Sequence, residues 1–267
     1  MGDRTPLHEE RKGVAAGKKV YFLSDLHLGA PHDPRTRDTE RRVVRFLEDA
    51  RRDAETIFLL GDILDYWYEY RYVVPRGFVR FFGKLAELTD AGIRVVWMIG
   101  NHDIWIRDYI PSELGVEVID GTLTESIFGK CFFMTHGDGV GKMKRSFRIL
   151  RRIFRNRFCQ WLYSGLNPRW TIPFAYAWSA HSRKHGCPGG KTLTEEEEKP
   201  MLRNLRDFSL QYLKNHPDID FFIYGHLHLV VDETIAPDCR MVVLGEWIES
   251  FTYATFDGTN LELKRYD

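Results

Sequence analysis

Five short motifs carry side chains able to bind metal. They are Asp25-Leu26-His27, Gly61-Asp62-Ile63-Leu64-Asp65, Gly100-Asn101-His102-Asp103, His136-Gly137-Asp138 and Gly225-His226-Leu227-His228. Carboxylates, imidazoles and one neutral amide make a donor set suited to two hard or borderline divalent cations. Cations roughly 3.5–4 Å apart can clamp one phosphoryl group. Such a pair needs a carboxylate between them. Asp62 is the candidate, because the preceding glycine permits a tight turn that aims it inward. One residue separates Asp25 from His27, and His226 from His228. On an extended backbone, both members of each pair would face one way. Asn101 adds a neutral oxygen that limits negative charge, and His136 completes the set. A lone His or Gly-Asp near a strand end is ordinarily structural. Five such motifs in one chain, each behind an apolar run, point to a site.

Those runs are KKVYFLS, TIFLL, RVVWMI, CFFMT and FFIY, which read as buried strands. Open α/β sheets place their sites at such strand ends. Strands at 19–24, 56–60 and 94–99 alternate with helices at about 37–53 and 76–91, which predicts a parallel sheet. Shorter strands are expected at 116–119, 123–127, 130–135, 220–224, 240–244, 250–256 and 261–265, with Asp257-Gly258 as a turn. Thr194-x-x-Glu197 has the form of a capping box, with Pro200 as an alternative start, for a helix running to about Asn215.

The chain has 267 residues, 43% hydrophobic and 14% aromatic, with a net charge of +0. Its size allows one large α/β domain or two small ones. The global field selects no partner. Cys131, Cys159, Cys187 and Cys239 are scattered, which fits reduced thiols in the cytoplasm rather than a disulfide framework. Residues 1–18 are polar, read as a mobile tail without the apolar core of a secretory signal. No stretch reads as a transmembrane helix, so any membrane contact is expected at the surface.

Residues 139–194 differ in character: they contain no Asp or Glu, but many Arg and Lys interleaved with aromatics. Phe147, Leu150, Phe154, Phe158 and Trp161 recur at helical spacing, with basic residues between. A basic, aromatic helix of this kind can lie on an anionic membrane, grip phosphates or hold nucleic acid.

These motifs, in this order, resemble the calcineurin-like metallophosphoesterases over roughly 19–138 and 220–247. The resemblance implies an α/β fold: a two-sheet β-sandwich flanked by helices, with a helical cap inserted at about 139–215 of a single domain spanning 19–267. It implies that Asp25, His27 and His228 hold one metal. Asn101, His136 and His226 would hold the other, with Asp62 between. His102 would donate to the phosphoryl or leaving-group oxygen, with Asp65 orienting it. Asp103 reads as supporting or structural.

Gly61 to Trp67, Leu244-Gly245-Glu246-Trp247 and the basic aromatic insertion are similar to the UDP-2,3-diacylglucosamine diphosphatase family. That resemblance implies a manganese pair and cleavage of a lipid-linked nucleotide to UMP and 2,3-diacylglucosamine 1-phosphate in lipid A synthesis. It also implies a peripheral position on the cytoplasmic face of the inner membrane. Arg148, Arg152, Phe154, Arg157 and Trp161 are the candidate substrate contacts. Three positions depart from the best-known branch: His102 stands where that branch has Arg, Gly139-Val140-Gly141-Lys142 replaces an acidic stretch, and Glu246 replaces Asp. The alternatives are a soluble phosphodiesterase or nuclease gripping nucleic acid through the insertion, and a non-catalytic scaffold. Retention of all the candidate ligands and His102 argues against a scaffold.

Overall fold

A computed structural model describes residues 17–30, 34–143, 145–185 and 195–267, and the side chains among them except those of 178–199. Two sheets are stacked. The first contains β1 (Lys19–Leu23), β2 (Ala54–Leu59), β3 (Arg94–Met98) and β4 (Glu117–Ile119), all parallel. It is extended beyond β1 by antiparallel β10 (Thr252–Phe256) and β11 (Leu261–Arg265). The second has the order β5 (Thr122–Ile127), β6 (Lys130–Thr135), β7 (Phe221–Tyr224), β9 (Cys239–Leu244), β8 (Val230–Ala236). Its three inner strands are parallel and its two edges antiparallel.

Alternation along each strand builds three apolar layers. Val20, Phe22, Phe58, Val96 and Met98 face Phe132, Met134, Ile223 and Val242 between the sheets. On the far side of the first sheet, Tyr21, Leu23, Ile57 and Trp97 pack under α1 (Thr36–Ala50) and α2 (Val79–Asp90) through Val43, Phe46, Leu47, Phe81 and Leu85. On the far side of the second, Phe133, Phe222, Tyr224 and Met241 meet Leu205 of α7 (Glu195–Leu213). Strands covered on both faces have no polar side, which explains the continuous apolar runs.

The expected sandwich, flanking helices and parallel strands are present. α7 contains Pro200 within the helix rather than at its start, and Thr194 lies outside the described residues. Two elements escaped the pattern reading: α3 (Tyr109–Leu114) and β8. The first is six residues long with Pro111 inside. The second is an edge strand, VVDETIA, whose residues are mostly half-buried or exposed. The turn at Asp257 forms as expected, with Thr259 N and Asn260 N donating to Asp257 Oδ1.

Between β6 and α7 stand α4 (Arg145–Phe154), α5 (Arg157–Ser164) and α6 (Pro168–His185). Neither α4 nor α5 buries a single residue. In α4 polar and apolar residues share both faces. Arg151, and Arg155 just beyond the helix, turn inward to Asp138 and Asp120, while Arg148 and Arg152 stay exposed. Ile149 and Ile153, on the opposite face, are 52% and 46% exposed.

Candidate metal centre

All five motifs follow parallel strands: β1, β2 and β3 of the first sheet, and β6 and β7 of the second. Their C-terminal ends open at the same end of the sandwich, where the loops converge. The pairs converge by a different route from strand alternation. Asp25, His27, Asp62, His226 and His228 all have positive φ, between 43° and 68°. Left-handed turns, not extended backbone, deliver them. Each such residue is disfavoured by roughly 1–2 kcal/mol, and strain of this kind gathers at functional sites. Gly61 needs its φ of 86° and its lack of a side chain: a Cβ there would lie 2.6 Å from His136 Nδ1.

One cluster is Asp25, His27 and His228. Ser24 Oγ and His226 N donate to Asp25 Oδ2 at 2.6 and 2.8 Å, fixing the carboxylate. Asp25 Oδ1 is buried and has no hydrogen-bond partner. It faces His228 Nε2 at 3.2 Å and His27 Nε2 at 3.8 Å, while those two nitrogens lie 3.1 Å apart. Three ligand-grade atoms thus converge on one point. A second cluster is Asp62, His136 and His226. His136 Nδ1 donates to Leu60 O at 2.8 Å, which directs Nε2 inward. That Nε2 lies 3.3 Å from both Asp62 Oδ2 and Asn101 Oδ1. Asp62 Oδ2 is also 3.9 Å from His27 Nε2, so it stands between the clusters. Asp62 Oδ1 is held by His102 N at 2.8 Å.

Charge within this buried cage is strongly coupled. Burial works to raise the Asp25 and Asp62 carboxyls, and the facing imidazoles overcome it, holding both well below the usual range. Burial lowers His27, but Asp25 and Asp65 push it up to about 10. His136 is likewise raised, by Asp62 against burial. Burial and the neighbouring His136 bring His226 down to about 4. The cage therefore attracts positive charge among oxygen and nitrogen donors, and the orphaned Asp25 oxygen faces into it. A divalent cation fits this donor set.

His102 is placed beside the clusters. Its ring stacks edge-on against His27, centroids 4.9 Å apart, and Nε2 lies 3.9 Å from Asp62 Oδ2. Burial holds the imidazole below its ordinary value, with Asp62 opposing. Asp65 orients it differently from the expected carboxylate–imidazole pair. His102 Nδ1 donates to the Asp65 backbone carbonyl at 2.9 Å, whereas the Asp65 carboxylate is nearer His27 Nδ1, at 3.4 Å, than His102 Nδ1, at 3.8 Å. Asp103 is a fully buried strut: it accepts from Gly100 N, Ile63 N and Trp97 Nε1, joining two ligand loops. Burial, then Asp62, pushes its carboxyl up to about 6. Trp247 N donates to Asp25 O at 3.1 Å, so the Gly245-Glu246-Trp247 turn braces the first loop.

The candidate substrate contacts are not gathered together. Arg148, Arg152 and Arg157 are exposed, Trp161 is 64% exposed, and the Phe154 ring packs on Trp105. Arg151 instead reaches a site loop, at Asp138, and Arg155 pairs with Asp120 between β4 and β5. Sequence reasoning missed Ser24, whose only signal is a hydroxyl ending an apolar run. It also missed Glu69, an acid within an aromatic run. Glu69 is buried and accepts from Trp67 Nε1 and from the amides of Arg107, Asp108 and Tyr109.

A two-sheet sandwich with this donor cage at its strand ends defines a metal-dependent phosphoester hydrolase. The chain belongs to the calcineurin-like phosphoesterase family, which matches residues 18–230. It is 42% identical over 258 residues to the UDP-2,3-diacylglucosamine hydrolase of Porphyromonas gingivalis, covering 92% of this chain and 97% of that one. It is 26% identical to the enzyme of the same name from Ralstonia nicotianae, covering 85% and 84%. A dimetal phosphatase from Danio rerio aligns over 95% of this chain and 100% of its own, with 14% identity and a TM-score of 0.45.

Proposed function

We propose that this chain hydrolyses UDP-2,3-diacylglucosamine, adding water across its P–O–P bond to give UMP and 2,3-diacylglucosamine 1-phosphate for lipid A synthesis. The observation that carries the lipid part is α4 to α6, tied to the site loops through Arg151 and Asp138 while presenting apolar side chains outward. Ile153, Trp161 and Trp170 are 46%, 64% and 70% exposed. Such a face suits acyl chains or a membrane surface. No helix among the described residues is long and apolar enough to cross a membrane. The proposed position is peripheral, on the cytoplasmic face of the inner membrane. We read 19–267 as one domain with this cap inserted.

In the proposed centre, Asp25, His27 and His228 would hold one cation and Asn101, His136 and His226 the other, with Asp62, between the two clusters, available to both. The proposed pair is manganese; when bound it supplies charge neutralisation at phosphorus and an activated water. Asp25 contributes Oδ1, its other oxygen being occupied by Ser24 and His226 N. His136 contributes Nε2, its Nδ1 being committed to Leu60 O. A phosphate bound beside His102 would favour its doubly protonated form, with Nδ1–H anchored on Asp65 O and a second proton at Nε2 for a phosphoryl or leaving-group oxygen. A pyrophosphate expels a phosphate, which needs little help from an acid. A histidine here therefore also equips the site for poorer leaving groups.

The test is manganese-dependent hydrolysis of UDP-2,3-diacylglucosamine in detergent, with UMP release quantified. Fast release establishes the substrate. Turnover of an aryl phosphodiester without UMP release keeps the hydrolase and discards the lipid reading.

A further inference from the structure

The loops that follow Asp65 and His102 meet in an isolated parallel bridge between Tyr68 and Trp105. From beneath, the Glu69 carboxylate pins this junction through the amides of Arg107, Asp108 and Tyr109, at 2.7, 2.9 and 3.1 Å. From above, both bridge side chains reach the cap. Tyr68 Oη donates to Gln160 O at 2.6 Å, and Trp105 Nε1 donates to Phe154 O at 2.8 Å. Phe154 is the last residue of α4, so its carbonyl lacks a partner within the helix. Tyr163 of α5 packs against both rings, with centroids 4.9 Å from Tyr68 and 5.0 Å from Trp105. Because α4 and α5 bury no residue fully, they rest on directional contacts and half-buried aromatic packing of this kind.

We infer that Tyr68 and Trp105 are positioning residues that hold the cap in register with the two ligand loops. That register determines selectivity for a two-chain lipid diphosphate over a small phosphodiester. The choice of lipid rests on the proposed function. The latch itself rests on the bridge and its two donors. A small ester needs only the metal loops. A lipid must span from those loops to the cap, so a loosened cap weakens binding of the lipid alone.

The experiment compares Tyr68→Phe, Trp105→Phe and the double variant in the full-length, manganese-loaded protein. Each loses one hydrogen bond to the cap and keeps an aromatic ring. The lipid KM should rise about fivefold in each single variant and about twentyfold in the double, with kcat held within about twofold. Turnover of bis(p-nitrophenyl) phosphate should stay within about twofold. Amide exchange should quicken across 145–164. Tyr163→Ala, altered on the cap side, should reproduce the KM effect. Equal losses on both substrates would overturn the inference, as would an unchanged lipid KM. A wild type that cleaves the aryl ester and ignores the lipid would overturn the proposed substrate instead. Amide exchange then decides the latch, and unchanged protection of α4 and α5 in the double variant would overturn it.

Discussion

At the strand ends, charged groups are buried and the backbone is twisted to hold them; in the cap, apolar groups are exposed beside arginines, and Arg151 and Arg155 turn inward. Asp25, Asp62 and His136 are almost wholly excluded from solvent. Trp161, Trp170 and Phe174 are each more than half exposed. Both regions violate the ordinary partition of residues between inside and outside, in opposite directions. A buried polar cluster requires partners within the molecule, as the hydrogen bonds to Asp25 and Asp103 show. An exposed apolar face is completed by something outside it. The proposed function therefore assigns reaction chemistry to the first region and choice of substrate to the second.

This division can be broken by mutation. Asp62→Ala should abolish turnover of every substrate, because its carboxylate lies between both clusters. Measurable metal-dependent activity with either lipid or aryl ester would remove Asp62 from its proposed role. His102→Ala comes next: turnover of alkoxide-releasing esters should fall about 10²–10⁴-fold and pyrophosphate cleavage much less. Equal losses on the two substrate classes would count against a proton held at Nε2. Asp103→Ala should lower stability by about 3 kcal/mol, since three buried donors lose their acceptor. Chemical denaturation measures this, and a midpoint like the wild type's would mean that the strut is dispensable. Smallest in stability is Ile149→Ser with Ile153→Ser, expected to change unfolding by less than about 0.5 kcal/mol while weakening binding to anionic lipid vesicles. A marked loss of stability with vesicle binding intact would make that face an internal one.

Strand ends were legible in the sequence because burial on both faces leaves a continuous apolar signature, and a polar motif after it stands out. β1, β2, β3, β6 and β7 accordingly lie within two residues of the runs that predicted them. The turns themselves were not legible. Asp and His betray no preference for left-handed backbone strong enough to replace the simpler strand alternation, though the residues brought together are the same. The role of Asp65 was half legible: it adjoins His102 and His27, but nothing in a side-chain pattern reveals that a backbone carbonyl makes the closest contact. In α4, helical spacing showed which residues share a face without showing which face turns inward. Asp120 and Asp138 settle that orientation, and both lie on loops outside the helix, where its own periodicity does not register them. β8 was missed because an edge strand paired on one side carries a weaker apolar pattern.

The five left-handed residues at the centre have a consequence for how small this protein can be. Together they demand roughly 5 kcal/mol or more of adverse backbone energy, comparable to the whole stability of many domains. The burial that can offset this cost lies in the three apolar layers. A miniature built from the five loops and their bare strands would relax those turns and scatter the ligands. The helices that never approach the donor cage are thus part of what makes the site possible, and the chain cannot be pared down to its chemistry.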